Sequence, residues 1–209
     1  MNPVKKKNEI SINIDNYTPE QLKQNHVIDV YNKISKRFDK TRFCKWPIVD
    51  EFVKQFEDKD MILEVGVGNG RNLDGVKGCK FGIDVCDDFL RMSSQYGTMI
   101  KADQTELPFE DDYFDYILSV AVFHHLVTEE ERVRCAEEMM RVLRKGGKIF
   151  LEVFERLDEQ QQDVFLRWKN PEGEYQRYYH RFEEEELKKY FGNGIIKREC
   201  NNIIIIVEK

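Results

Sequence analysis

The chain has 209 residues, 41% of them hydrophobic and 34% charged, which is enough for one domain burying roughly 70% of its unfolded surface and excludes a disordered polymer or two large domains. Its 33 basic residues against 39 acidic ones leave a net charge of −6, which taken alone argues against nucleic acid but says nothing of where the charges sit. The longest aliphatic run, Ile203 to Val207, is far below the ~20 apolar residues that span a bilayer, and no charged N-region precedes an apolar run, so no membrane span and no secretory signal are expected.

Residues 1–17 are polar with a Lys5-Lys6-Lys7 run and read as a flexible N-terminal arm, followed by a single domain over 18–209. Thr18-Pro19-Glu20-Gln21 has the form of a helix start, with Thr as cap, Pro at the first position and Gln completing a capping box. Leu22, Val27, Val30, Tyr31 and Ile34 continue at helical spacing, and a second helix is predicted from Trp46-Pro47 through Ile48, Val49, Phe52, Val53 and Phe56. From Met61 the period changes to that of strands: Met61–Val65, followed at once by glycines and a helix, then Phe81–Val85, Thr98–Lys101 and Tyr113–Val120. A helix from Thr128 to Leu143 carries its own capping box with Glu131, and Gly146-Gly147 turns into a fifth strand, Lys148–Phe154. Ile195 to Arg198 and Ile203 to Val207, joined by an Asn201-Asn202 turn, read as a hairpin. The predicted fold class is therefore α/β, a doubly wound, mainly parallel sheet ending in an antiparallel C-terminal pair.

The sharpest local signal is Leu63-Glu64-Val65-Gly66-Val67-Gly68-Asn69-Gly70-Arg71. Glycines after a first strand let backbone approach a ligand, and a following helix N-terminus offers free N–H groups. The spacing is GxGxG, not the GxGxxG of dinucleotide binders. Asp84, at the end of the second strand, can accept two ribose hydroxyls, and Asp103, after Ala102, can accept from an adenine amino group. With Leu107-Pro108-Phe109, this set resembles the class I S-adenosylmethionine-dependent methyltransferases. The resemblance makes Glu64, Gly66, Gly68, Asn69, Gly70, Asp84, Val85, Ala102, Asp103 and Val120 the expected cofactor-binding residues.

Two flanking segments bear on the substrate. Tyr31 to Trp46 holds six basic residues against one acidic, with Tyr31, Phe38, Phe43 and Trp46 interleaved; this suits either a phosphate-bearing partner with a splayed base or a solvated helix face with core aromatics. A second basic and aromatic cluster runs from Phe165 to Lys169 and from Tyr175 to Phe182. After the fourth strand, Ala121-Val122-Phe123-His124-His125 occupies the position that faces the transferable methyl group in this class; His124 is expected to face the substrate and His125 to be structural. The five cysteines, at 44, 79, 86, 135 and 200, have no metal-ligand spacing, so reduced thiols and no metal are expected.

Tyr31-Asn32-Lys33-Ile34, Thr41-Arg42-Phe43, Trp46-Pro47, Gly66-Val67-Gly68-Asn69-Gly70, Val122-Phe123-His124-His125 and Arg177-Tyr178-Tyr179-His180 together resemble the eukaryotic tRNA methyltransferases that esterify a carboxymethyl group on the wobble uridine. The resemblance runs from about residue 25 to the end; Glu64 and Val67 stand where that family usually has Asp and Cys, and the segment before Arg177 is shorter. It implies S-adenosyl-L-methionine as cofactor, tRNA as substrate, Arg42 and His124 as catalytic residues, and Lys40, Arg42, Trp46, Arg177, Tyr178, Tyr179 and His180 as substrate-binding residues. It also implies a heterodimer with a small zinc-binding activator protein along the edge strand near Gly97–Ile100, and a cytoplasmic, or also nuclear, location. The alternative is a methyltransferase of the same fold acting on a quinone or metabolite.

Overall fold

The computed structural model describes residues 9–10, 14–42, 45–157 and 161–209. A seven-stranded sheet in the order β4-β3-β2-β5-β6-β10-β9 forms its centre. The strands β2 (Met61–Val65), β3 (Cys79–Asp84), β4 (Thr98–Lys101), β5 (Phe114–Val120) and β6 (Leu143–Phe154) run parallel. The last pair, β9 (Ile195–Glu199) and β10 (Asn202–Glu208), is antiparallel. The doubly wound sheet with an antiparallel C-terminal pair is thus the one expected.

Strand pleating decides which apolar side chains go to which face. Leu63, Val65, Ile117, Ile149, Leu151, Val153, Ile203 and Ile205 pack on one face, against α5 (Glu129–Val142) and α6 (Glu184–Phe191). Their neighbours Ile62, Leu118, Val120, Phe150 and Ile204 pack on the other, against α3 (Pro47–Val53). Buried positions on both faces explain why these strands read as continuous apolar runs.

Four features differ from expectation, each for a local reason. No regular helix follows β2: Arg71–Leu73 make one 3-10 turn, and the chain leaves it at Asp74-Gly75, with Gly75 at φ 66°. The helix N-terminus expected behind the glycines is therefore absent. The C-terminal hairpin turns on Cys200 and Asn201, both at positive φ (50° and 62°), as a two-residue turn with two left-handed positions requires. Asn202 is displaced from the turn into β10, where its buried amide donates to Glu152. The first helix is interrupted, running as α1 (Pro19–Lys23), a π turn (Gln24–Ile28) and α2 (Asp29–Asp39). Finally, the basic and aromatic segment of residues 163–180 forms a hairpin, β7 (Asp163–Asn170) and β8 (Gly173–His180), that sequence patterning did not resolve.

That hairpin also corrects the expected arm. The backbone of β1 (Glu9–Ile10) pairs with β7, making a separate three-stranded sheet, and Tyr17 packs edge-on against Phe165 and His26. Residues 1–8 and 11–13 of that segment lie outside the described residues. Leu22, Phe165 and Tyr178 form the small core beneath, which fastens the N-terminal helices to the hairpin.

The α5 capping box is present with both halves: Thr128 Oγ1 accepts from the Glu131 amide, and the Glu131 carboxylate accepts from the amides of Thr128 and Val127. Thr128→Ala should lower stability by about 1 kcal/mol, read as a shift of the urea midpoint with an unchanged slope; no shift would mean the cap contributes nothing to α5.

Candidate active site

One cavity lies at the carboxyl ends of the parallel strands, where ligands bind in open α/β sheets. It is lined by Glu64, Gly66, Gly68, Asn69, Asp84, Val85, Ala102, Asp103 and Val120, so nine of the ten expected cofactor residues meet there. Gly70 does not line it; its Cα faces Tyr96 and Ser93, and it serves to close the loop against α4 (Asp87–Ser93).

The loop after β2 is held by its own amides. Gly68 N–H donates to one oxygen of Asp84 at 3.0 Å and Cys86 N–H to the other at 2.9 Å. Gly66, at φ 68°, leaves no room for a side chain: a Cβ there would sit 2.4 Å from Val122 Cγ2. Gly68, at φ 52°, has nothing within 4 Å on that side, so the loop presents bare backbone to the cavity. Asn69 ties the loop to the N-terminal helices by donating to Asp39 at 2.9 Å and to the Arg42 carbonyl at 2.8 Å.

Two carboxylates face this cradle, Glu64 buried and Asp84 half-buried. Burial raises Asp84 to about 6, against the three amides that favour its charged form, and raises Glu64 to about 8. Asn72 donates to one oxygen of Glu64 at 2.7 Å, and the other has no partner among the described residues. An orphaned carboxylate oxygen, a bare glycine loop and an acceptor at the end of β3 fit a nucleoside carrying a cationic amino group. Asp103 is more occupied than expected: one oxygen accepts from the Thr105 amide and hydroxyl, while the other pairs with Lys23 at 2.9 Å. Lys23, a cavity residue not anticipated from sequence, also reaches Glu131 at 2.8 Å.

The mouth and far end come from the N-terminal helices. Val27, Tyr31, Phe38, Arg42 and Trp46 line it, the π turn setting Lys23, Val27 and Tyr31 on one side. Arg42 is exposed, its guanidinium 4.9 Å above the Phe38 ring. Lys40 is exposed at the end of α2 and does not line the cavity. Phe43 and Cys44 lie outside the described residues.

Of the two histidines it is His125, not His124, that reaches the cavity wall. His125 lines the cavity; its Nδ1 donates to the Tyr178 carbonyl at 2.7 Å, which leaves Nε2 to accept from the Tyr31 hydroxyl at 2.8 Å. Burial, aided by the charge of Arg177, pushes it down to about 3, so it is neutral. His124 instead turns into the protein, where Nδ1 accepts from the Phe154 amide and the ring lies 4.6 Å from that of Tyr179. The reason is the 3-10 turn Phe123–His125, which sends adjacent side chains in different directions.

The Arg177-Tyr178-Tyr179-His180 motif is divided by the pleat of β8. Arg177 and Tyr179 join Tyr31 behind the cavity wall: Arg177 Nη1 donates to the Tyr179 hydroxyl at 2.6 Å and lies 3.5 Å from that of Tyr31. Tyr178 and His180 point to the opposite side and are structural. The Tyr178 hydroxyl donates to Asp163, and the His180 ring sits between Asp163 at 2.8 Å and Glu186 at 2.9 Å.

Comparison with known proteins agrees with this geometry. A family profile described as a methyltransferase domain matches residues 63–151. A protein of Schizosaccharomyces pombe named tRNA (carboxymethyluridine(34)-5-O)-methyltransferase is 29% identical over 90% of this chain and 98% of its own length. An Arabidopsis thaliana protein of the same name is 33% identical over 72% of this chain, a match that spans 37% of the plant protein. A protein of Encephalitozoon cuniculi, assigned to the methyltransferases with no substrate named, is 34% identical over 81% of this chain and 86% of its own length. The chain belongs to this methyltransferase family. The fold agrees: a Methanosarcina mazei S-adenosylmethionine-dependent methyltransferase superposes with a TM-score of 0.62 at 20% identity over 79% of this chain and 98% of that one. A Haloferax volcanii methyltransferase solved with the Trm112 activator superposes at 0.63, with 15% identity over 88% of this chain and 98% of that one.

In this methyltransferase the His180 clamp joins the β7–β8 hairpin to α6 and should be pH-dependent. Burial disfavours the imidazolium, but the two carboxylates prevail and hold His180 above its ordinary value, while Asp163 and Glu186 lie below theirs despite burial. A raised His contributes stability below its unfolded value near 6.5 that is lost as pH rises through the folded value; the depressed carboxylates contribute above about 4 and lose it on acidification. Asp163 is 40% exposed, so the Glu186 contact weighs more. His180→Gln should destabilise by about 2 kcal/mol at pH 6 and by less at pH 8, checked by urea melts at both; an equal loss at the two pH values would show that His180 is neutral.

Proposed function

We propose that this methyltransferase transfers a methyl group from S-adenosyl-L-methionine to the carboxylate of 5-carboxymethyluridine at the wobble position of tRNA, leaving S-adenosyl-L-homocysteine. The observation that carries the reading is the joining, in one cavity, of a nucleoside cradle to an acceptor end that has aromatic walls, the Arg42 guanidinium at its mouth and, among the described residues, no available base. The names of the Arabidopsis and S. pombe relatives support it. A quinone or metabolite acceptor is disfavoured by Arg42 at the mouth and by the exposed cations Lys33, Lys36 and Lys40 on α2 and just after it.

The cofactor, when bound, supplies a methyl group on a sulfonium centre. An acceptor oxygen held in line would take the methyl group, the C–O bond forming as the C–S bond breaks and the electron pair leaving with sulfur. A carboxylic acid near pKa 4 is already ionised at pH 7, so no proton has to be removed. A neutral His125 whose lone pair is occupied by Tyr31 suits that chemistry, and would suit an alcohol or amine acceptor poorly. The chain's residues then act by position and by excluding water, worth up to roughly 7–11 kcal/mol in favourable cases. Gly68, Asp84 and Glu64 hold the cofactor, Trp46 and Phe38 offer faces for a flipped base, and Arg42 with its neighbouring lysines takes the phosphate backbone.

The proposal includes a small activator protein. β4 is one edge of the sheet, and edge strands accept a further strand; the Haloferax methyltransferase of the same fold was solved with such an activator. Activity in the cytoplasm or nucleus belongs to the same proposal.

The deciding assay is transfer of labelled methyl from the cofactor to tRNA carrying carboxymethyluridine, with the chain co-purified with an activator. Methylation of small molecules alone would refute the tRNA reading, and full activity of a monomer without partner would refute the heterodimer. Arg42→Ala should lower transfer about tenfold or more with cofactor affinity unchanged.

Asp84, held up to about 6 by burial, must be ionised to accept ribose hydroxyls. Affinity for S-adenosyl-L-homocysteine should therefore fall about tenfold as pH drops from 7.5 to 5, measured by calorimetry. Asp84→Asn should bind more weakly and lack the step near pH 6; a wild-type affinity independent of pH would remove Asp84 from the site.

A further inference from the structure

Arg177 is 8% exposed and has no carboxylate within ion-pair distance among the described residues. Arg132 and Arg141 do: Arg132 faces Glu186, and Arg141 faces Glu138 and Asp111. The partners of Arg177 are two phenols, Tyr179 at 2.6 Å and Tyr31 at 3.5 Å, and the faces of Trp168 and Tyr179, 5.0 and 5.2 Å from its Cζ. Its Nε, buried, has no hydrogen-bond partner among the described residues. Burial works against its charge and the phenols offset that, keeping the guanidinium protonated. A buried cation without a counter-ion is costly to keep, unless an anion completes it.

The place of that anion follows from the hydrogen bonds. The Tyr31 proton is committed to His125 Nε2, so the Tyr31 oxygen turns its lone pairs to Arg177 and Tyr179. Tyr31 and His125 are both cavity residues at the acceptor end. The uncompensated charge thus stands one hydroxyl behind the cavity wall, in surroundings where its field is strong. Arg42 differs: it is exposed over Phe38, and water and salt screen it.

We infer that Arg177, with Tyr31 and Tyr179, is the positioning residue that selects an anionic acceptor, and that Arg42 serves the phosphate backbone at the mouth. The inference rests on the carboxylate reading above and assigns its cation. It also gives the site a way to tell substrate from product: transfer turns the carboxylate into a neutral methyl ester, and the attraction to Arg177 ends with the reaction.

The test compares two anticodon stem-loop RNAs, one with 5-carboxymethyluridine and one with its methyl ester, binding to the protein saturated with S-adenosyl-L-homocysteine. Wild type should prefer the carboxylate on the order of 30-fold. Arg177→Gln should bring the ratio near one, whereas Arg42→Gln should weaken both RNAs together and leave the ratio. A dissociation-constant ratio does not depend on how much of the sample is folded. If the Gln variant loses its cooperative melt, Arg177→Lys, which keeps the charge but not the planar fork, carries the test, and its ratio should fall. A ratio unchanged at position 177, or lost at position 42 instead, overturns the inference while the tRNA reading stands. No preference in a wild type that still methylates carboxymethyluridine also overturns it alone; no preference and no transfer refute both.

Discussion

Asp84 accepts from the amides of Gly68 and Cys86, and in doing so it fixes the ends of two neighbouring parallel strands, β2 and β3, to one another. The cavity depends on this contact. It sets the bare backbone of Gly68 toward the ligand, it carries Asn69 to Asp39 and the Arg42 carbonyl, and through Asn69 it docks the N-terminal helices over the opening. The cost is a carboxylate held in surroundings that disfavour its charge, with Glu64 beside it in the same condition. Buried ionisable groups that the protein alone leaves incompletely matched are expected where a ligand completes them.

The overall charge gains meaning once it is placed. Four of the six acidic residues in the run 102–115 are paired within the fold: Asp103 with Lys23, Asp111 with Arg141, Asp112 with Lys209 and Asp115 with Arg144. These pairs reach α1, α5, the C-terminus and β6 respectively. Lys33, Lys36, Lys40 and Arg42, by contrast, stand exposed on α2 and the turn after it. A chain of net charge −6 therefore still carries a local group of exposed cations on α2 and the turn after it, next to the cavity residue Arg42, and a phosphate backbone responds to a local field rather than to the sum.

Much of the fold was legible because it rests on short-range rules. The strands showed as apolar runs, the two capping boxes as Thr and Gln or Glu three residues apart, and the glycine loop as a spacing. What escaped depended on direction or on partners remote in sequence. The β7–β8 hairpin is rich in charged and aromatic residues, and its strand identity comes from pairing with its own second half and with β1. Arg177 to His180 reads as a unit in sequence, yet the pleat sends Arg177 and Tyr179 to the site, and Tyr178 and His180 to the other side, against the small core with Leu22 and against Glu186 of α6. His124 and His125 were distinguishable only by the 3-10 turn that carries them. Lys23 gave no signal, since its role is defined by Asp103 and Glu131, 80 and 108 residues away.

These hidden features share a location. The family profile covers residues 63–151, the central strands that build the cofactor cradle. Tyr31, Phe38, Arg42, Trp46 and Arg177 all lie outside it, on the N-terminal helices and the hairpin. Of the acceptor-end groups only His125 belongs to the central part, and it is the one that joins the two additions: its Nδ1 holds the hairpin by the Tyr178 carbonyl and its Nε2 holds α2 by Tyr31. Burial keeps His125 neutral, and the spending of both nitrogens on that junction removes it as a base. The same two hydrogen bonds that assemble the acceptor end therefore fit the proposed acceptor, one that arrives already ionised.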